Sequence, residues 1–296
     1  MKKLHYGFAA ILWIVLMVFP TIESNETPNY QQLLTQLSTS FYTPTSIANK
    51  PYRIRRVVID AGHGGKDTGC TGKKSIEKKI TLSIALKLGK YIEDNLPNVK
   101  VIYTRKTDVF VELDERANIA NRNNADLFIS IHCNSSPTAP SVKGTETYVM
   151  GLNKSKENLE VAMRENAVVS LEKDYKKRYN GFDINNPEND IIFSLYQNAH
   201  LSQSIQLASL VEKQFKLRAN RHSRGVKQES FLVLYQTAMP SILIESGFLS
   251  NSEEERYLLS DNGQSLIASA VYRAFKSYKQ QLENAAGTPS KTTRHN

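Results

Sequence analysis

Two hydrophobic rhythms alternate along the chain. Arg56-Val57-Val58-Ile59-Asp60 is a short β-branched run ending in a glycine cluster, the pattern of a buried strand. Residues 76 to 94 then carry Ile76, Ile80, Ile84, Leu88 and Tyr91 at helical spacing. Val99 to Thr104 reads as a second strand, Leu113 to Asn123 as a helix, Asp126 to Cys133 as a third strand and Thr145 to Met150 as a fourth. Residues 157 to 179 read as a highly charged helix. Leu201, Ile205, Ala208, Val211 and Phe215 mark an amphipathic helix over 200 to 217. Phe231 to Leu234 and Ser241 to Ile244 read as short strands, Ser252 with Glu255 has the spacing of a capping box, and a last helix is predicted from about Gln264 to Gln281. Strands alternating with helices predict an α/β fold, a central mostly parallel or mixed sheet with helices on both faces.

The first residues break this texture. Lys2 and Lys3 precede an apolar run from about Phe8 to Phe19, then Pro20 and a polar stretch, the layout of a secretory signal peptide. The run is short for a membrane span, and Pro20-Thr21-Ile22-Glu23-Ser24 offers no clean cleavage site. Residues 1 to 24 are therefore read as a signal peptide or N-terminal anchor. Residues 25 to 50, rich in Asn, Gln, Ser, Thr and Pro, read as a linker. A catalytic domain is expected over 51 to 281, with an inserted helical segment over 152 to 200, followed by a small polar tail over 282 to 296 expected to be disordered.

Composition adds two constraints. Lys and Arg number 38 against 29 Asp and Glu, a net charge of +9 in 296 residues, which suits an anionic partner. No basic stripe interleaved with aromatics stands out, which argues against nucleic acid; cell-wall polymer and a membrane surface remain. Cys70 and Cys133 are the two cysteines, enough for one disulfide but not for a disulfide framework.

Four segments carry chemistry. In Asp60-Ala61-Gly62-His63-Gly64-Gly65 a strand runs into glycines, and His63 projects where open α/β sheets place their sites. Glu77 lies in the first turn of a helix, where the helix dipole alone would also favour a carboxylate. His132 ends the apolar strand of Ser130-Ile131-His132-Cys133-Asn134 and faces away from Cys133, because strand side chains alternate. Two His and a carboxylate are a frequent ligand set for catalytic zinc. Met239 to Phe248 carries an apolar strand ending in Glu245, an acid that is costly there unless used or paired. As a general base it would complete a zinc hydrolase.

In that order and spacing, Asp60 to Gly65, Glu77-Lys78, Ser130 to Asn134 and Ile244-Glu245-Ser246-Gly247-Phe248-Leu249-Ser250-Asn251 resemble the type 3 family of zinc-dependent N-acetylmuramoyl-L-alanine amidases over about residues 54 to 280. The resemblance implies a periplasmic or cell-envelope enzyme that cuts the amide between N-acetylmuramic acid and the L-alanine of the stem peptide in peptidoglycan. It implies Zn2+ held by His63, Glu77 and His132, with Glu245 as the catalytic glutamate. The family often has Ala where this chain has Cys133, which puts a thiol beside the site. Arg116 and Asn134 flank the motifs, either to orient a ligand or bind substrate or as ordinary hydrogen-bonding residues.

The 152 to 200 segment is similar to an inserted regulatory helix in the cell-division members, whose insert Glu reaches the zinc. Arg164-Glu165-Asn166 is the most similar stretch, making Glu165 the candidate autoinhibitory residue, with Glu172 next. That resemblance implies an activator protein that displaces the helix. An exposed helix laced with i,i+4 ion pairs is the plain alternative. Two other functional readings stand beside the main one: a zinc amidase for another amide, and a non-catalytic wall-binding module.

Overall fold

The computed structural model describes residues 53–151, 155–179 and 200–287. The expected signal peptide or anchor, the linker, much of the insert and the end of the tail lie outside these residues. Strands β1 (Arg56–Ala61), β2 (Lys100–Tyr103), β3 (Leu127–Asn134), β4 (Thr145–Met150), β5 (Ser223–Glu229) and β6 (Ser241–Phe248) form one sheet in the order β2-β1-β3-β6-β4-β5. The pairings β1–β2, β1–β3, β3–β6 and β4–β5 are parallel, and β4–β6 is antiparallel. The expected mixed α/β sheet is thus present. The longer helices are α1 (Glu77–Asn95), α2 (Leu113–Arg122), α3 (Lys156–Asn166), α4 (Leu201–Arg218), α5 (Ser252–Leu259) and α6 (Asp261–Gly287).

Strand alternation divides the interior in two. Val57, Ile59, Ile129, Ile131, Cys133, Ile242 and Ile244 pack with Ile84 and Leu88 of α1, Val211 and Phe215 of α4, and Val271 and Phe275 of α6. Val58, Phe128, Leu243 and Tyr148 face the other way, against Ala120 of α2, Val161 and Ala162 of α3 and the single helical turn Leu232–Tyr235. Strands apolar on both faces need helices on both faces, which is why these segments read as continuous β-branched runs. Towards one edge of the second face the side chains become polar. Val58 is followed by Asp60, Phe128 by Ser130, His132 and Asn134, and Leu243 by Glu245; Tyr148 on the antiparallel neighbour is preceded by Glu146, and all of these polar residues are buried.

Several local expectations fail for identifiable reasons. Residues 157 to 179 are not one helix: α3 gives way to a 3-10 segment at Ala167–Leu171, and Asp174 takes a left-handed φ of 55° before the turn Tyr175–Arg178. The segment around Phe231 to Leu234 is a helical turn, because four buried apolar residues carry no period that separates a strand from a buried turn. Strand β5 was not expected: Ser223-Arg224-Gly225-Val226-Lys227-Gln228-Glu229 is polar, with glycine inside, and forms the sheet edge. Helix α5 is capped by Asn251, whose side chain accepts from the Glu253 and Glu254 amides, while Glu255 instead accepts from the Lys74 amide and the Ser75 hydroxyl. The last helix also starts before Gln264 and extends beyond Gln281.

Candidate active site

Three elements bring His63, Glu77 and His132 together. The turn after β1 carries His63 in a left-handed conformation with φ 62°, uncommon outside glycine. Two buried arginines hold this turn. Arg116 donates to the Asp60 carboxylate at 2.7 Å and to the Ala61 and His63 carbonyls at 2.8 and 2.9 Å. Arg105 donates to the Ala61 and Gly62 carbonyls at 2.9 and 2.7 Å and to the Lys78 carbonyl at the start of α1 at 2.8 Å. Asp60 accepts further from the Thr104 and Ser130 hydroxyls, at 2.6 and 2.7 Å. Burial raises its carboxyl, but Arg116 and the two hydroxyls outweigh that and leave it below its ordinary range. Arg116 is therefore a support for the His63 turn.

His63 Nδ1 lies 2.8 Å from Asp67 Oδ2. A proton on Nδ1 donated to this carboxylate leaves the Nε2 lone pair facing the cluster, the arrangement common to metal-binding histidines. Glu77 is wholly buried, with Oε1 accepting from the Cys133 amide and Oε2 from the Cys70 amide, both at 2.8 Å. Its Oε1 lies 3.0 Å from His63 Nε2 and 3.2 Å from His132 Nδ1. A Cβ at Gly62 would meet His132 Nε2 at 2.4 Å, and one at Gly69, where φ is 65°, would meet Glu77 Oε2 at 2.5 Å; only glycine fits at either.

Glu165 comes from α3 on the opposite side. Its Oε2 lies 3.2 Å from His63 Nε2 and 3.0 Å from His132 Nδ1. Ligand-type atoms of His63, Glu77, His132 and Glu165 all fall within 4.8 Å of one another, all four residues being buried. Arg164 donates to the Asn134 side chain and the Ser135 carbonyl, and Asn166 bonds the Ser230 carbonyl and the Leu232 amide. The tripeptide thus seats the helix end, with Glu165 between its anchors. Glu172 is elsewhere: it accepts from the Leu113 amide and the Tyr179 hydroxyl at the start of α2.

The electrostatics suit a cation. Burial pushes the imidazoles down. The Glu77 charge, with Asp67 and Glu165, overrides this at His63 and holds it well above its ordinary value. At His132 the Glu165 charge and its bonds to Glu165 and Glu77 override burial and raise the group to about 9. His63 Nε2, His132 Nδ1 and Glu165 Oε2 are buried without a well-formed hydrogen bond, so the potential that holds protons on the rings is one a divalent ion would satisfy. The donor set of two imidazoles and a carboxylate fits zinc.

Glu245 sits opposite His132 in the β3–β6 register. Both carboxylate oxygens are buried without a hydrogen bond, and the nearest cation, Arg164, is 3.8 Å away. Burial, with the charges of Glu165 and Glu77, pushes its carboxyl well above the ordinary range, as a proton-transfer group requires. Asn134 bonds Glu146 and Arg164. The two thiols are free: Cys133 points into the core, while Cys70 donates to the Cys133 carbonyl.

Sequence reasoning missed Asp67, Arg105 and Glu146. Asp67 had a signal, an acid four residues after a candidate ligand in a glycine-rich turn. Arg105 and Glu146 had none, because their roles depend on which strands become neighbours.

Comparison with known proteins identifies the same catalytic class. Residues 57–277 match the family model described as N-acetylmuramoyl-L-alanine amidase. The chain is 32% identical over 238 residues to N-acetylmuramoyl-L-alanine amidase AmiA of Escherichia coli, covering 80% of each. Among solved structures it resembles the N-acetylmuramoyl-L-alanine amidase of Clostridium difficile 630, with a TM-score of 0.57 and 26% identity over 77% of this chain and 98% of that one. The CwlD amidase of Clostridioides difficile, solved in complex with the GerS lipoprotein, also gives a TM-score of 0.57, at 25% identity over 77% of this chain and 99% of that one.

Proposed function

The chain belongs to the N-acetylmuramoyl-L-alanine amidase family and is a peptidoglycan hydrolase, and we propose that it works with one zinc ion held by His63, Glu77 and His132, with Glu245 as general base. The observation that carries this reading is the convergence of three buried ligand atoms beside an acid that makes no hydrogen bond of its own. Bound zinc would lower the pKa of water and polarise the scissile carbonyl. Glu245 takes the proton from the attacking water and delivers it to the departing alanine nitrogen. Asp67 keeps the His63 ring oriented, while the Cys70 and Cys133 amides fix Glu77. The cleaved bond joins N-acetylmuramic acid to L-alanine.

Glu165 adds a second carboxylate to the cluster, 3.2 Å from His63 Nε2 and 3.0 Å from His132 Nδ1, and would take the zinc position that the attacking water needs. In this reading α3 is a brake, and a partner that lifts it activates the enzyme. The lipoprotein-bound relative supports a protein activator. Lys2, Lys3 and the apolar run after them support export to the periplasm or cell envelope; among the described residues no helix is long and apolar enough to cross a membrane. Digestion of purified sacculi, with products identified by mass spectrometry, tests the whole. Free stem peptides should appear and vanish when a chelator is added. Undiminished digestion in chelator would remove zinc from the account.

A further inference from the structure

Beside Glu245, two strands towards the sheet edge, lies a cationic corner that the hydrolytic machinery does not use. Its origin is a β-bulge. Thr145 pairs with Ser223 and Thr147 with Val226, so Glu146 alone opposes Arg224 and Gly225. Gly225 has φ 89° and open space where a Cβ would stand. In a regular strand residues 224 and 227 would face opposite ways; the extra residue turns both to one side. Arg224 Nε and Lys227 Nζ accordingly donate to the same oxygen, Glu146 Oε1, at 2.5 and 2.7 Å.

Glu146 does not need both. Its other oxygen already accepts from the Tyr148 hydroxyl and the Asn134 amide at 2.7 and 3.1 Å. Among the described residues Glu146 is the one carboxylate in ion-pair contact with either cation. The Arg224 side chain is 33% exposed and that of Lys227 19%. The Arg224 guanidinium lies 5.5 Å from the Phe248 ring centroid, and its two terminal nitrogens make no hydrogen bond among the described residues. A ring-supported guanidinium fork with open nitrogens is the donor geometry that carboxylates take in bidentate fashion.

Position supplies the ligand. Glu146 is the cross-strand partner of Glu245, and β5 lies one strand further out. At about 4.8 Å per strand, the corner lies about 10 Å from the strand of the general base. An extended peptide covers that span in about three residues. Helix α3 reaches towards the same corner. Its exposed Glu157 is held below the ordinary carboxyl range chiefly by the Ser155 hydroxyl, with Lys227 adding to the effect.

We propose that Arg224 and Lys227, set side by side by the β5 bulge and braced by Glu146, form a subsite for a carboxylate on the second or third residue of the peptide whose amide is cleaved. The proposal rests on the amidase reading and makes the two cations determinants of peptide specificity.

Two soluble muramoyl-peptides test it, differing only in whether the carboxylates of the second and third peptide residues are free or amidated. The full chain is assayed as wild type, Arg224→Gln, Lys227→Gln and Arg224→Lys, each with and without Glu165→Ala. Loss of one charge-assisted bond should raise KM for the free acid about ten- to hundredfold, leaving kcat and the amidated substrate nearly unchanged. Arg224→Lys, which keeps the charge but loses the fork, should fall between wild type and Arg224→Gln. Equal losses on both substrates, or a preference unaltered by either Gln variant, would overturn the subsite. Equal rates with and without Glu165→Ala would count against the brake, while the ratio between substrates would still judge the subsite.

Discussion

His63, Glu77 and His132 project from a framework tied together by buried hydrogen bonds, whereas Glu165 reaches the same point from a helix that packs by one face, through Val161 and Ala162. Around His63 the Arg105 and Arg116 guanidiniums tie the turn to β1 and α1, and Glu77 is held by amides of two separate segments. Helix α3 instead shows Leu159 and Met163 outward, at 46% and 52% exposure, and connects to a 3-10 segment and a turn. Both regions place buried acid on the same two imidazoles, and distance alone ranks them as equals. Their mountings differ. Groups locked by buried hydrogen bonds to the sheet and α1 cannot leave without unfolding their surroundings, while a helix packed by one face can open locally. Under the proposed function, His63, Glu77 and His132 are the fixed ligands and Glu165 the removable occupant.

Substitutions on the framework should do the most damage. His63→Ala or His132→Ala is expected to abolish both zinc binding and sacculus hydrolysis, since two ligands hold zinc poorly; stoichiometric metal in either variant would break the assignment. Glu245→Gln should keep zinc and lose about 10²–10⁴-fold in turnover, measured on the metal-loaded protein; near-normal rates would give the proton transfer to another group.

The arginine brace should be read in stability before activity. Arg116→Met leaves Asp60 buried without its cation, a loss of about 3–5 kcal/mol in urea unfolding. The acid dependence sharpens this. Asp60 is held below its ordinary value of 3.8, so its contribution is present above that value and is lost as pH falls through the lower folded value. Without Arg116 that loss begins at higher pH, moving the acid-unfolding midpoint upward; an unmoved midpoint would show that the pair does not stabilise the turn. Cys133→Ala should have the smallest effect, about 1 kcal/mol with zinc retained, because the backbone amide rather than the thiol holds Glu77. Loss of zinc would make the thiol a ligand.

Much of this was legible in the sequence because the chemistry lies at the ends of apolar runs. His63, His132 and Glu245 each follow or end a β-branched strand, and Glu77 opens a helix of clear period. Those signals are local. The bracing of Arg105, the hub at Asp60 and the corner at Glu146 come from residues brought together by strand order, which no window of sequence contains. Strand β5 was missed for the related reason that an edge strand with a bulge needs neither alternation nor apolar residues. Glu165 was legible through family resemblance, and its reach to both imidazoles came only with the fold.

The distinction between fixed ligands and removable occupant meets its most direct test in zinc content and basal sacculus hydrolysis, measured together on wild type, Glu165→Ala and His132→Ala. Glu165→Ala should retain one zinc per chain and hydrolyse faster than wild type without any partner, as expected when a closed population is released, while His132→Ala should have neither zinc nor activity. If Glu165→Ala loses zinc and activity as His132→Ala does, Glu165 is an obligatory ligand and the account of α3 as a brake is wrong.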